Sequence, residues 1–275
     1  MKILCVLVLY HCKLQESRTY KTLGTNNEHL FVFDNSENPQ DITSIAPEAI
    51  YIHNESNIGL SACYNRAAKY AKDHDYEWLL FLDQDTDFNE VSISDYKMAI
   101  ENNPSCLLFV PMVKCGVYTM SPMKYKHHFA LFSQKHFEGI TSLYQLSVIN
   151  SGMCVSLAAL EKCGGYNERV FLDYSDHEFL RRFKKYYNNV FVLSQTVYQD
   201  YSAKSDPIDV ALKRFKLFCE SIHGCEKNSL KERIEFSIPI LKRALSLVLR
   251  NRSLLPFAIA YKYYFRNEKS CINRY

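Results

Sequence analysis

Three carboxylates, Asp83, Asp85 and Asp87, stand at alternate positions directly after the apolar run Trp78-Leu79-Leu80-Phe81-Leu82. That run reads as a strand buried on both faces. Alternation along an extended backbone would turn the three acids to one side. So much negative charge at a strand end is costly unless a cation neutralises it. Oxygen ligands of this kind suit Mg²⁺ or Mn²⁺, which bind through one or two carboxylates plus the phosphates of a substrate. The chemistry implied is a divalent metal gripping a diphosphate. A solvated polar loop after a core strand would use the same residues.

The elements that must position these acids follow from the hydrophobic pattern. A strand over 3–10 is followed by a polar stretch with helical potential at 13–24. A second strand, 29–34, ends in the turn cluster Asn35-Ser36-Glu37-Asn38-Pro39. A short strand at 50–53 leads through Asn57-Ile58-Gly59 into a helix near 60–74, and strand 78–82 follows. Strands alternating with helices at this spacing predict an α/β fold with a mostly parallel sheet flanked by helices. Ligands of such sheets bind outside the carboxyl ends of the strands. Tyr10, Asp34, the Asn57 loop and Asp83/Asp85 all fall at those ends, so one crevice is predicted to collect them. No Gly-x-Gly-x-x-Gly follows the first strand and no Walker-type Gly-Lys-Ser/Thr occurs, which argues against a nicotinamide dehydrogenase and a P-loop NTPase.

With 275 residues, 47% of them hydrophobic, the chain has enough apolar material for one large domain with an appendage. Its ten cysteines include no Cys-x-x-Cys pair, and Cys5, Cys106 and Cys154 lie within apolar runs. A reduced, cytoplasmic protein with buried thiols is the expectation. Met1–Tyr10 has a signal-peptide flavour, but its apolar run is short and no small-residue cleavage site follows, so it is read as the first strand. No stretch is long enough to span a bilayer. Residues 212–275 hold 14 Lys/Arg against 5 Asp/Glu, mixed with leucines and with Tyr261, Tyr263, Tyr264 and Phe265. A basic amphipathic helical region of this kind suits peripheral contact with an anionic membrane surface. A helical cap with a solvated charged face has the same composition. Basic residues among aromatics also suit nucleic acid, a partner not expected here.

Several short segments, in order, carry a resemblance. They are Val6-Leu7-Val8-Leu9-Tyr10, Val32-Phe33-Asp34-Asn35-Ser36, Asn57-Ile58-Gly59 with the helix start through Asn65-Arg66-Ala67, and Leu80-Phe81-Leu82-Asp83-Gln84-Asp85. Further on come Asn150-Ser151-Gly152 and the stretch from Gly164-Gly165-Tyr166 through Asp173-Tyr174-Ser175-Asp176-His177-Glu178. Together they resemble an inverting glycosyltransferase of family 2, with the GT-A fold, and most of all its bacterial rhamnosyltransferase-type branch. The resemblance covers roughly residues 1–200. It implies a Rossmann-like GT-A domain over 1–205, with a nucleotide-binding half at about 1–110 and an acceptor half at about 111–205, followed by the helical region 206–275.

The resemblance also implies roles. Tyr10, Asp34 with Asn35 beside it, Asn57, Gly59 and Asn65 fall at positions that hold a nucleotide-diphospho-sugar donor. A carboxylate suits a nucleobase imide N–H, because charge-assisted bonds are stronger. Asp83 would lie on the nucleoside side and Asp85 on the metal, while Asp87 has no counterpart and is expected to be solvated. Asn150, Ser151 and Gly152 resemble the loop beside donor sugar and acceptor. Asp176 inherits the position of the catalytic base, with Asp173 second, and a helix starting here would set the two on one face. Many relatives carry a metal-contacting His where this chain has Gln199, a neutral oxygen donor, with Asp200 next to it. The implied partners are a nucleotide-sugar, a deoxythymidine- or uridine-linked hexose, and a hydroxyl of a glycan or polyprenyl-linked glycan. Two other classes stay open: a sugar-nucleotide nucleotidyltransferase, whose usual Gly-rich basic loop is missing after the first strand, and a non-catalytic binding relative.

Overall fold

The computed structural model describes residues 1–23, 29–199 and 207–266. Four parallel strands form the core of one sheet: β1 (Ile3–Leu9), β2 (Leu30–Asp34), β3 (Ile50–His53) and, on the other side of β1, β4 (Trp78–Asp83). Their continuous apolar runs bury both faces. Leu4, Val6, Phe31, Phe33, Leu79 and Phe81 join one core cluster, while Ile3, Cys5, Leu7, Val32, Leu80 and Leu82 join another across the sheet. The period of two makes this division automatic.

Helix α1 (Arg18–Leu23) follows β1, and α2 (Leu60–Asp73) crosses from β3 to β4. α2 buries Cys63, Tyr64, Ala67 and Ala71, with the Tyr64 ring 4.2 Å from that of Phe81 and tilted by 34°. A two-residue strand, β5 (Thr86–Asp87), precedes α3 (Ile93–Asn102), which opens on a capping box between Ser92 and Asp95.

The second half of the sheet is mixed. It comprises β6 (Leu108–Cys115), β7 (Tyr118–Lys126), β8 (Phe129–Ser133), β9 (Gly139–Ser142), β10 (Leu146–Ser147) and β11 (Met153–Ser156). β11 lies antiparallel between β4 and β6. After α4 (Leu157–Lys162) and α5 (Ser175–Phe183), the long β12 (Asn189–Gln199) runs parallel to β6 and antiparallel to β9 and β5. The α/β reading therefore holds, with the parallel part concentrated in the first half. The region 112–148, for which no motif was legible, is the wing of antiparallel strands.

α6 (Ile208–Gly224), α7 (Leu230–Asn251) and α8 (Leu255–Ala260) close a third core cluster with Phe215, Ile222, Phe236, Ile240 and Ala244. Val170 and Tyr174, from the segment before α5, belong to that cluster too. No cysteine among the described residues is bridged, and most are buried. No described helix is long and apolar enough to cross a membrane.

Candidate functional site

Register brings the site together. Leu9 pairs with Asp34, Val8 with Asp83, and Asp34 with His53, so the carboxyl ends of the four parallel strands form one edge. β11 runs antiparallel to β4 and pairs Met153 with Phe81, which places residues 150–152 beside the end of β4. Ser151 Oγ accordingly donates to Asp83 Oδ2 and lies 3.3 Å from Thr86 Oγ1. β12 pairs Gln199 with Thr86, and Gln199 Nε2 donates to Asp85 Oδ1 at 2.9 Å. Ser151 Oγ also lies 3.4 Å from Gln199 Oε1. Asp83, Asp85, Ser151 and Gln199, nominated from three separate segments, form one cluster.

The loop that carries the acids is gripped from the far end of β1. The backbone N–H of Arg18 donates to Gln84 O at 3.0 Å, Ser17 Oγ to the same carbonyl at 2.9 Å, and Thr19 Oγ1 to Asp83 O and Thr86 O. Gln84 Oε1 accepts from Tyr10 N at 2.8 Å, while its amide donates to Tyr10 O at 3.2 Å. Tyr10 thus joins the site through its backbone. The positioning role of Gln84 and of the Ser17–Thr19 segment was missed from sequence. Its only signal was a Gln between two acids at a strand end.

β4 stops at Asp83, Gln84 and Asp85 form a turn, and Asp87 belongs to β5. The three acids therefore do not share one side of a strand. Asp87 is not merely solvated: it accepts from Arg18 Nη2 at 2.8 Å and from Asn89 N–H at 3.0 Å, and both hold its carboxyl below the ordinary range. Asp83 is the opposite case. Burial, and then the adjacent charge of Asp85, push its carboxyl up to about 6, with Asp176 adding to the effect.

This donor set fits a hard divalent cation. Asp83 and Asp85 supply two neighbouring carboxylates, and their raised electrostatic cost is what a cation would relieve. Among the described residues no group of three or more His, Cys, Asp and Glu is placed to cage an ion. The pair therefore suits an ion whose shell a diphosphate completes. Gln199 turns its amide nitrogen to Asp85, and a half-turn of the amide presents Oε1 instead. Asp200, the other candidate at this point, lies outside the described residues.

Asp176 sits in the first turn of α5, where Asn150 Nδ2 donates to Ser175 Oγ at 3.1 Å and ties the helix start to the 150–152 loop. Its Oδ1 accepts from His177 N–H at 2.6 Å, and His177 Nδ1 lies 2.7 Å from Ser147 Oγ. Asp173 does not share its helix face. The helix begins only at Ser175, after Tyr174 at φ 80°, and Asp173 turns instead to Arg243 of α7 at 3.4 Å. Glu178 is buried and forms a two-pronged pair with Arg182, whose other nitrogen binds the carbonyls of Cys163 and Gly165.

The remaining nominees make contacts within the protein. Asp34 is fully buried; its Oδ2 accepts from Gln40 Nε2 and Tyr51 OH, both at 2.8 Å, and its Oδ1 from Ser36 N–H. Asn35 bridges Cys63 Sγ and Ile58 N–H. Asn57, at φ 43°, accepts from Gly59 N–H. Asn65 clamps Tyr166 through both backbone groups and also reaches Glu168. A Cβ on Gly59 would stand 2.5 Å from the Phe171 ring and 2.6 Å from its carbonyl, and one on Gly152 would stand 2.7 Å from Pro111. The close neighbours of both glycines are protein. Asn150 Oδ1 accepts from the buried Tyr166 OH at 2.7 Å.

The sequence pattern described as Glycosyl transferase family 2 matches residues 14–158, more than half of the chain. The chain belongs to that family. Among solved structures it is similar to TarS of S. aureus (TM-score 0.53, 15% identity, 95% of this chain and 52% of TarS). It is also similar to GalNAc-T7, solved with UDP, GalNAc and Mn²⁺ (TM-score 0.58, 10% identity, 97% of this chain and 57% of the other). A third is the mannosyltransferase PcManGT from Pyrobaculum calidifontis in complex with GDP-Man and Mn²⁺ (TM-score 0.53, 10% identity, 98% and 88%). At these identities the likeness establishes the GT-A type of fold. The chain spans little more than half the length of TarS and GalNAc-T7. No curated protein matches.

Proposed function

We propose that this family 2 protein is an inverting, metal-dependent hexosyltransferase that moves a sugar from a nucleotide-diphospho-sugar to a hydroxyl of a glycan or lipid-linked glycan. The observation that carries the reading is the cluster of Asp83, Asp85, Ser151 and Gln199 at the strand ends, with Asp176 near enough to raise the Asp83 carboxyl. GDP-Man with Mn²⁺ in one structural relative, and UDP, GalNAc and Mn²⁺ in another, support it. The rhamnosyltransferase-like branch, with a thymidine- or uridine-linked hexose as donor and cell-surface polysaccharide as product, remains our assignment from the motifs.

In this mechanism Asp83 and Asp85 would hold Mg²⁺ or Mn²⁺, with Gln199 as a neutral third ligand. When bound, the cation offsets charge that develops on the leaving diphosphate. Ser151 fixes the Asp83 carboxylate by its hydrogen bond. The Tyr10 end of β1, with Asp34, Asn35, Asn57, Gly59 and Asn65, shapes the nucleotide side. A base would reach the Asp34 carboxylate only where Gln40 gives way. Asn150, Ser151 and Gly152 border the acceptor. Asp176 takes the proton of the attacking hydroxyl on the oxygen not engaged by His177 N–H, as a general base must. Asp173 orients the segment through Arg243.

The direct test is transfer or donor hydrolysis with and without EDTA. Asp85→Ala and Asp176→Ala are each expected to lower kcat by at least about a hundredfold, the usual worth of a positioned acid–base or charge-stabilising group. Full activity of either variant removes its assigned role. A second reading, a nucleotide-sugar binder without turnover, has one observation on its side: the Gln199 amide already occupies Asp85. Donor binding by thermal shift, with no turnover over an acceptor library, would favour it. We place the protein in the cytoplasm, peripheral to the inner face of the cell membrane through residues 212–275.

A further inference from the structure

α7 has two apolar faces, and the protein covers only one. Phe236, Ile240, Ala244 and Leu247 are buried against the body. On the other side Leu230, Ile234, Ile238, Leu241, Leu245 and Leu249 are 43–74% exposed. They succeed one another at steps of four, four, three, four and four residues, which makes one stripe along the helix. At 22 residues the helix is about 33 Å long. Leu254, Leu255 and Phe257, around the start of α8, are exposed as well. A soluble surface rarely leaves such a stripe uncovered.

The charges around it say what covers it. Between residues 230 and 266 the only acids are Glu232 and Glu235. Both turn to the body, Glu232 to Arg181 at 3.1 Å and Glu235 to His127 at 2.8 Å. Lys231, Arg233, Lys242, Arg250, Arg252 and Lys262 are exposed. The outside of this layer is therefore leucine-rich, flanked by positive charge and without an exposed carboxylate. A second copy would bring like charges together around the stripe. An anionic lipid surface matches both components. The helix is not apolar enough to cross the bilayer, so it lies along it.

We infer that the outer face of α7, with the start of α8, seats in the interface of an anionic lipid bilayer, with the helix in the membrane plane. This deepens the membrane placement proposed above and rests on it. Arg243, on the opposite side of α7, reaches Asp173. Docking thus places Asp173 on the inner side of the membrane-bound helix, one helix diameter, about 10 Å, from its lipid-facing stripe.

The test is co-sedimentation of the full chain with phosphatidylcholine vesicles, with and without phosphatidylglycerol, and it needs no transfer reaction. A failed transfer assay and a failed docking assay are therefore distinguishable. The wild type is expected to pellet with anionic vesicles and to be released by high salt. Leu241→Gln/Leu245→Gln/Leu249→Gln should weaken partitioning by about a hundredfold or more, and Lys231→Gln/Lys242→Gln by about fivefold per charge. Unchanged melting temperatures without vesicles confirm that the variants fold. In the wild type, hydrogen exchange should slow over 230–257 when anionic vesicles are added. Wild type left in the supernatant overturns the inference, as does slowed exchange confined to other elements. A wild-type dimer that the triple leucine variant dissolves would assign the face to a second copy instead.

Discussion

Asp83 has conflicting demands placed on it. Its carboxylate is buried beside Asp85, and in the absence of a cation that arrangement favours the neutral form, so the carboxyl rises to about 6. The unfolded chain releases the same proton near the ordinary carboxylate value of 3.8. Between these values the unfolded state holds fewer protons than the folded one, so metal-free stability falls as pH rises from about 4 to about 6. Above that window the cost is present in full. Asp83→Asn removes the charge while its side-chain oxygen still accepts from Ser151. In EDTA at pH 7 the variant is expected to melt at a higher temperature than the wild type and to lose transfer activity. A lower melting temperature, measured by calorimetry, would show that the carboxylate is stabilised by something other than a cation. A site whose residues weaken the empty fold is what ligand binding predicts.

At the scale of elements, the glycine before α2 shows how two halves of the site are joined. Gly59 lies at φ 84° with Phe171 against it, and Leu60 N–H donates to Phe171 O at 2.8 Å. Gly59→Ala must therefore move the 171–175 segment, which leads directly to Asp176. A loss of about 2–4 kcal/mol is expected from combined overpacking and backbone strain. Chemical denaturation checks it, and kcat should fall more than the donor KM rises. The position of Gly59 at the helix entry was legible, whereas its neighbour was not, because Phe171 is over a hundred residues away. The same holds for Asn65 and Tyr166 and for Arg18 and Asp87: pairs distant in sequence leave no local mark. β1 to β4 were legible because each is a continuous apolar run closed by polar turn residues. The wing β6–β10 was not, since its pairing shifts register between β6 and β7 and between β7 and β8, and it carries no motif. Asp85 was misplaced because strand periodicity was carried two residues past Asp83, where β4 ends and Gln84 turns the chain.

Across the whole molecule, His128 is one of the side chains that couple the C-terminal helices to the sheet wing. The His128 ring stacks on Phe236 of α7 at 3.7 Å and 13°. Burial lowers its pKa from 6.5 to about 4, helped by the nearby Arg181 and His127 and opposed by Glu235 and Glu232. In the unfolded chain His128 takes up a proton near 6.5, while in the folded chain it does so only near 4. The unfolded state therefore binds more protons between those values, and stability rises with pH across that window. The contribution is complete above about 6.5 and is lost progressively as pH falls to about 4. His128→Phe retains a ring against Phe236 and has no proton to gain. Its melting temperature should decline less than that of the wild type between pH 6.5 and 4, and the two curves should converge toward neutral pH. Parallel curves across the range would place the acid sensitivity in other groups. If α7 meets lipid as inferred, the same protonation loosens the inner side of the layer whose outer side holds the membrane, so vesicle-bound protein should resist acid better than free protein.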